Sequence, residues 1–270
     1  MRSVAILMAI FSLILATLAH AELRPFEDVT AVVGLKAMKG YHSAWGDFNN
    51  DGWVDLHEYR NIWRNDNGKF TLAAVLKKGI GVWGDYDNDG RLDIICARNQ
   101  KLYRNIGGAT LVDQSAKMPA FPIGRPWSAA WGDFNNDGFL DFYVTGFEAH
   151  DMSAYYRDTL LQNKRDGSFE VIWTKGTQPG RGVTAADFDE DGDLDIYVSN
   201  YRLEPNILWL NNGSGNFTNV AAAYGALGGH GHTIGSAWGD LDNDGHIDLV
   251  VGNCSAQRAV PIDKSRAAEN

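Results

Sequence analysis

The pattern D-x-[DN]-x-D-G-x-x-D occurs five times in the 270-residue chain, beginning at Asp47, Asp85, Asp133, Asp187 and Asp240. The steps between copies are 38, 48, 54 and 53 residues. Self-similarity at such a period indicates a propeller, a solenoid or an array. Just inside the last Asp of each copy sit Val54, Leu92, Leu140, Leu194 and Ile247, and just after it sit Leu56, Ile94, Phe142, Ile196 and Leu249. His57, Ile95, Tyr143, Tyr197 and Val250 then point the other way. Period-two strands that are largely apolar on both faces predict sheets covered on both sides. Trp45, Trp83, Trp131 and Trp238 precede the first Asp by two residues, and Ala185 replaces the tryptophan in the fourth copy. Their fixed place before buried strands predicts core packing.

A second signal follows four of the copies: NIWRNDNGKF, KLYRNIGGATL, LLQNKRDGSF and NILWLNNGSGNF. Each reads as an apolar strand, an Asn, a Gly-containing turn and another strand, because Asn and Gly supply the positive φ of a hairpin. Each repeat thus offers about four strands, the content of one propeller blade.

The acidic loops pose an electrostatic problem. Alternate residues at positions 1, 3, 5, 7 and 9 can turn oxygens to one centre, with the position-6 glycine permitting the sharp turn. Hard oxygen ligands at this spacing suit Ca²⁺ at roughly 2.3–2.6 Å with 6–8 ligands. The candidate sets are Asp47, Asn49, Asp51, Trp53 and Asp55; Asp85, Asp87, Asp89, Arg91 and Asp93; Asp133, Asn135, Asp137, Phe139 and Asp141; Asp187, Asp189, Asp191, Asp193 and Asp195; and Asp240, Asp242, Asp244, His246 and Asp248. Position 7 would act through its backbone carbonyl. The spacing resembles the first half of an EF-hand loop but lacks its Glu at position 12, and strands replace the helices. Zn²⁺ would want His or Cys, and Mg²⁺ prefers to keep waters. The metal-free alternative is that Asp and Asn close these turns on their own backbone.

At the N-terminus, Arg2, the apolar run Val4–Leu18 and Ala19-His20-Ala21 predict an export signal over residues 1–21. Residues 22–253 would be the repeat domain and 254–270 an irregular tail. The net charge of −10 argues against nucleic acid and anionic membrane as partners. Cys96 and Cys254 are expected to be two separate buried thiols, with a single bridge as the alternative. The insertion GFEAHDMSAYYRD (146–158) is expected to be solvated rather than to contact ligand through Tyr155, Tyr156 and Arg157. His230 and His232 are expected in a polar loop. No nucleophile-elbow, zincin or Walker pattern is present in the sequence.

The stretches WGDFNNDGWVDL, WGDYDNDGRLDI, WGDFNNDGFLDF, ADFDEDGDLDI and WGDLDNDGHIDL resemble the calcium-binding FG-GAP/VCBS repeats of integrin-α-type β-propellers. LYRNIGG, LWLNNGSGNF and PFEDVTAVVGL are similar to the secreted branch of cartilage acidic protein and ASPIC/UnbV-type proteins. The resemblance covers about residues 25–253. It implies an all-β propeller of about five four-stranded blades, or a truncated array of a kind that commonly has seven. PFEDVTAVVGL resembles a blade's closing strand, which could complete the last blade and shut the ring. The expected function is an exported, monomeric, Ca²⁺-binding adhesion or ligand-binding module, extracellular or periplasmic. Its partner would be an extracellular protein or polysaccharide, it would have no membrane span after signal cleavage, and it would not be an enzyme. The alternatives are a secreted polysaccharide-acting hydrolase or lyase on the same scaffold, or a segment of a larger surface protein.

Overall fold

A computed structural model describes residues 27–38, 42–77, 79–122, 124–229 and 231–254. The export signal and residues 255–270 of the tail lie outside the described residues. Contacts divide the chain into a unit ending at Lys36 and a second unit beginning at Ala37. In the first, residues 27–36 form turns: Val32 and Val33 N–H both donate to Val29 O, and Leu35 N–H donates to Thr30 O. The closing strand expected at 25–35 therefore does not form across residues 27–35. Asp28 accepts the Thr30 N–H at 3.0 Å instead, a local turn that competes with extended pairing.

The second unit is all-β, built of antiparallel sheets in strict chain order. Blade one holds β1 (Ser43–Gly46), β2 (Asp55–Glu58), β3 (Asn61–Asp66) and β4 (Lys69–Val75). Blade two holds β5 (Gly81–Gly84), β6 (Asp93–Cys96), β7 (Lys101–Asn105) and β8 (Leu111–Asp113). Blade three holds β9 (Pro126–Gly132), β10 (Asp141–Gly146), β11 (Asp158–Asn163) and β12 (Phe169–Lys175). Blade four holds β13 (Gly180–Ala186), β14 (Asp195–Asn200), β15 (Ile207–Asn211) and β16 (Phe217–Asn219). The fifth holds only β17 (His232–Gly239) and β18 (Asp248–Cys254) among the described residues. The expected tail boundary moves by one residue, since β18 runs through Cys254.

Blades one to four form as the repeat predicts. The acidic loop joins the first and second strands, and the Asn-Gly turn joins the third and fourth. The second strand of each complete blade is buried at every residue, and in blades two to four a neighbouring blade lies on either side. Blades pack through their tryptophans. Trp83 stacks on Phe48 of the preceding loop at 5.7 Å, Trp131 on Tyr86 at 6.5 Å, and Trp238 on Phe188 at 6.4 Å. The indole N–H of Trp83 donates to Ala44 O and that of Trp131 to Val82 O, both one blade back. In the first two blades the glycine after the tryptophan makes room for the next one: a Cβ on Gly46 would lie 2.9 Å from Trp83, and one on Gly84 2.8 Å from Trp131. Where Ala185 replaces the tryptophan, Phe134 instead meets Phe217 edge-on at 5.8 Å. Trp45 departs from the expected core packing. It is 57% exposed, since among the described residues no blade precedes it to receive its ring.

Both cysteines are free thiols. Cys96 is buried, with its thiol pushed up to about 12 by burial. Cys254 is exposed, contrary to expectation, because β18 has no third strand paired to it among the described residues. Among the described residues no helix is long and apolar enough to cross a membrane.

Candidate metal centres

The five loops share one backbone path. Position 4 takes a left-handed conformation (Asn50, Asn88, Asn136, Glu190 and Asn243, φ 56 to 61°), and the position-6 glycine follows at φ 81 to 95°. That double turn aims two amides back at the first Asp. Asp47 accepts Asp51 N–H at 3.1 Å and Gly52 N–H at 2.8 Å. Asp85, Asp133, Asp187 and Asp240 repeat the pair.

The ninth residue is tied in from the other side. Asp93 accepts Tyr86 N–H at 3.2 Å and Asn105 N–H at 2.7 Å, so the loop and the third strand share one carboxylate. Asp55 and Asp195 do the same, and Asp141 accepts Asn163 N–H at 2.8 Å and the Phe134 amide. These four are buried. Burial, followed by neighbouring carboxylates, pushes Asp93 and Asp141 up to about 7 and Asp195 to about 6, and raises Asp55. A cation in the loop would reverse that penalty, because it favours the charged form.

Three loops bring one carboxylate oxygen from each of positions 1, 3 and 9 within 4.8 Å of one another: Asp85, Asp87 and Asp93; Asp187, Asp189 and Asp195; Asp240, Asp242 and Asp248. In the first and third loops position 3 is Asn. Asn49 Nδ2 donates to Asp51 and Asn135 Nδ2 to Asp137. Position 5 lies outside the convergent groups, for it accepts the position-7 amide: Trp53, Arg91, Phe139, Asp193 and His246 each donate to it at 2.9–3.1 Å. The hard oxygens at positions 1, 3 and 9, with position 9 buried in the second and fourth loops and half-buried in the fifth, fit a divalent cation.

The loops differ in counter-charge. In the second, Arg104 meets Asp87 at 2.5 Å and Asp89 at 2.9 Å, and Arg91 also pairs with Asp89. In the third, Arg165 meets Asp137 at 3.1 Å. In the fourth and fifth, no Lys or Arg lies within ion-pair distance among the described residues, and His246 turns to Glu190 at 2.5 Å.

Two inter-loop devices escape sequence reasoning. The position-4 side chain reaches the next loop: Asn50 to Gly90 O at 2.8 Å, Asn88 to Gly138 O at 2.7 Å, Asn136 to Asp193 at 2.6 Å. The hairpin Asn reaches the previous one: Asn105 Nδ2 to Phe48 O at 2.6 Å, Asn163 to Tyr86 O at 2.7 Å, Asn211 to Phe134 O at 2.9 Å. The repetition of Asn at both places was the available signal.

The insertion 146–158 is partly ordered by a bridge between Glu148 and Tyr155. Glu148 is buried and pairs with Arg202 at 2.8 Å, and Phe147 packs on Trp127 at 4.6 Å. Tyr155 and Arg157 are exposed, as expected for a solvated segment, whereas Tyr156 is half-buried. His230 lies outside the described residues. His232 opens β17, accepting Arg202 N–H through Nδ1.

Blades in chain order, each carrying an acidic oxygen-rich turn, define a repeat protein of the β-propeller class. The FG-GAP-like repeat pattern matches residues 85–144, 151–198 and 187–251, more than half the chain, and the chain belongs to that family. Cartilage acidic protein 1 of Mus musculus is 35% identical over 101 residues, and that of Homo sapiens 38% identical over 101 residues. Each match covers 37% of this chain and only 15% of the relative's length. Among solved structures, one titled for recognition of non-reducing terminal N-acetylglucosamine by an Agrocybe aegerita lectin aligns with a TM-score of 0.47 and 19% identity. It covers 77% of this chain and 59% of that one.

Proposed function

We propose that the chain is an exported calcium-binding propeller module that binds an extracellular protein or polysaccharide without catalysing a reaction on it. The observation that carries the reading is the convergence of position-1, -3 and -9 carboxylate oxygens in the second, fourth and fifth loops, each at the same place in its blade. Ca²⁺ there would neutralise the loops and pin the first two strands of each blade, stabilising the fold by linkage. The ligands would be Asp187, Asp189 and Asp195 in the fourth loop and Asp240, Asp242 and Asp248 in the fifth. The other three loops would be held by the corresponding residues, and position-7 carbonyls would complete each shell. Export and an extracellular site rest on the sequence at residues 1–21 and on relatives named for cartilage. The non-catalytic reading is supported by the engagement of the carboxylates outside the loops: Asp158 bonds Tyr143 and Gly146, and Glu148 pairs with Arg202.

The test is a thermal melt of the protein with Ca²⁺ and with chelator, together with a count of bound metal. One site held at a hundredfold its Kd adds about 2.7 kcal/mol, so a clear upward shift is expected with Ca²⁺. The double variant Asp187→Asn with Asp189→Asn should lose one ion and part of the shift. An unchanged melt with no bound metal would refute the reading.

A further inference from the structure

The acidic loops occupy one end of the blades. At the opposite end, where first strands begin and second strands finish, lies a cavity of about 420 Å³. Its walls include His42, Tyr59, Arg98, Asn99, Trp127 and Arg181. No carboxylate lines it among the described residues. The chain carries a net charge of −10, yet this mouth is basic.

The basic groups crowd one ring. The guanidinium carbons of Arg98, Arg181 and Arg125 lie 4.4, 5.2 and 5.5 Å from the Trp127 ring centre. Arg181 also lies 4.6 Å from the Tyr201 ring. Cation–π contact holds a guanidinium in place while leaving its N–H donors for a ligand. Arg125 is anchored by the Glu148 carbonyl at 3.1 Å. Arg98 and Arg181 have no carboxylate within ion-pair distance among the described residues. His42 is held below its usual value, first by burial and then by those same two arginines. The indole N–H of Trp127 is buried without a hydrogen-bond partner among the described residues. Like charges gathered without counter-ions create a site for an oxyanion, and Arg recognises carboxylate and sulfate in a bidentate manner.

We propose that this cavity binds an acidic sugar through its carboxylate or sulfate group, with Arg98 and Arg181 as the charge partners. The proposal rests on the ligand-binding reading above and names the ligand class. The volume falls in the range of small-ligand sites. Tyr59, Asn99 and His42 place polar groups beside the arginines for hydroxyls.

The experiment is titration calorimetry on the Ca²⁺-loaded protein with glucuronate, glucose 6-sulfate, glucose, inorganic sulfate and triglutamate. Binding of glucuronate or glucose 6-sulfate, with glucose and sulfate much weaker, is expected, and the stronger of the two identifies the anion. Arg98→Gln and Arg181→Gln should each weaken that binding about tenfold or more. Arg64→Gln, which removes only a surface pair with Asp66, should leave it unchanged. Equal binding of glucose would overturn the role of charge, and equal binding of sulfate alone would overturn the sugar. Tighter binding of triglutamate would assign the mouth to an acidic protein and overturn the proposal. If no probe binds while Ca²⁺ still shifts the melt, the pocket assignment fails and the calcium module stands. If the melt shift is absent, the module reading itself has failed.

Discussion

Asp158 is buried in blade three, outside every acidic loop, and its partners account for its presence. It accepts Tyr143 O–H at 2.5 Å and Gly146 N–H at 2.8 Å, while Trp209 Nε1 donates to Tyr143 O at 3.0 Å. Burial outweighs these bonds and pushes its carboxyl up to about 7. The folded value lies above the unfolded one near 4, so the neutral form favours folding. Its contribution is therefore full below about pH 4 and is lost as pH rises through about 7. Asp158→Asn holds the site neutral at every pH. The wild type should lose on the order of 4 kcal/mol relative to this variant between pH 4 and pH 8. Urea unfolding of both proteins at the two pH values, at fixed Ca²⁺, measures the difference, in which the loop carboxylates cancel. A pH-independent difference would show that folding does not raise the Asp158 carboxyl. Nothing in the sequence around Asp158 marks it as buried, because its burial depends on Tyr143, a neighbour fifteen residues away. The loop carboxylates, by contrast, announce themselves by spacing, since their partners lie mostly within the same nine residues.

At the scale of the element, the blade was legible and the joint between blades was not. Alternation, the Asn-Gly turns and the flanking tryptophans predict four strands per repeat, and four of the five sheets have four strands in that order. The same letters do not reveal that the tryptophan serves the preceding blade, since that pairing depends on how blades stack. Two substitutions separate the roles. Trp131 stacks on Tyr86, meets Phe142 edge-on at 5.2 Å and donates to Val82 O. Trp131→Ala should cost about 3 kcal/mol through the cavity and the lost contacts. Trp45 holds the same place in the repeat but is 57% exposed, with an edge contact to Phe70 at 6.0 Å as its ring partner among the described residues. Trp45→Ala should cost less than about 1 kcal/mol. Denaturant midpoints of the two variants provide the comparison, and equal losses would mean that the tryptophan works within its own blade.

Across the whole second unit, stability should be graded, because each blade leans on its neighbours as in other repeat proteins. Blades two to four have partners on both sides, and β10 and β14 are buried at every residue. The fifth sheet lacks these supports. Asp248 accepts one loop amide, from Leu241 at 2.9 Å, where its counterparts also take an Asn amide from a third strand. Leu241, in the place of Phe48 and Tyr86, is 65% exposed, and Trp238 Nε1 is buried without a partner among the described residues. The first blade is intermediate: Trp45 is open, and Asn65 Nδ2 reaches only Val54 O, yet β2 is fully buried. Amide hydrogen exchange should therefore be slowest in β10 and β14, faster in β1–β4, and fastest in β17 and β18. Calcium adds a second expectation. The fifth loop has the convergent oxygens of Asp240, Asp242 and Asp248 and no Lys or Arg counter-charge among the described residues, so its strand pair depends most on a cation. Adding Ca²⁺ should raise protection in β17–β18 more than in β5–β6, where Arg91 and Arg104 already neutralise part of the loop. Exchange that is uniform across the blades, or Ca²⁺ protection that is greatest at β5–β6, would contradict this account of how the loops are balanced.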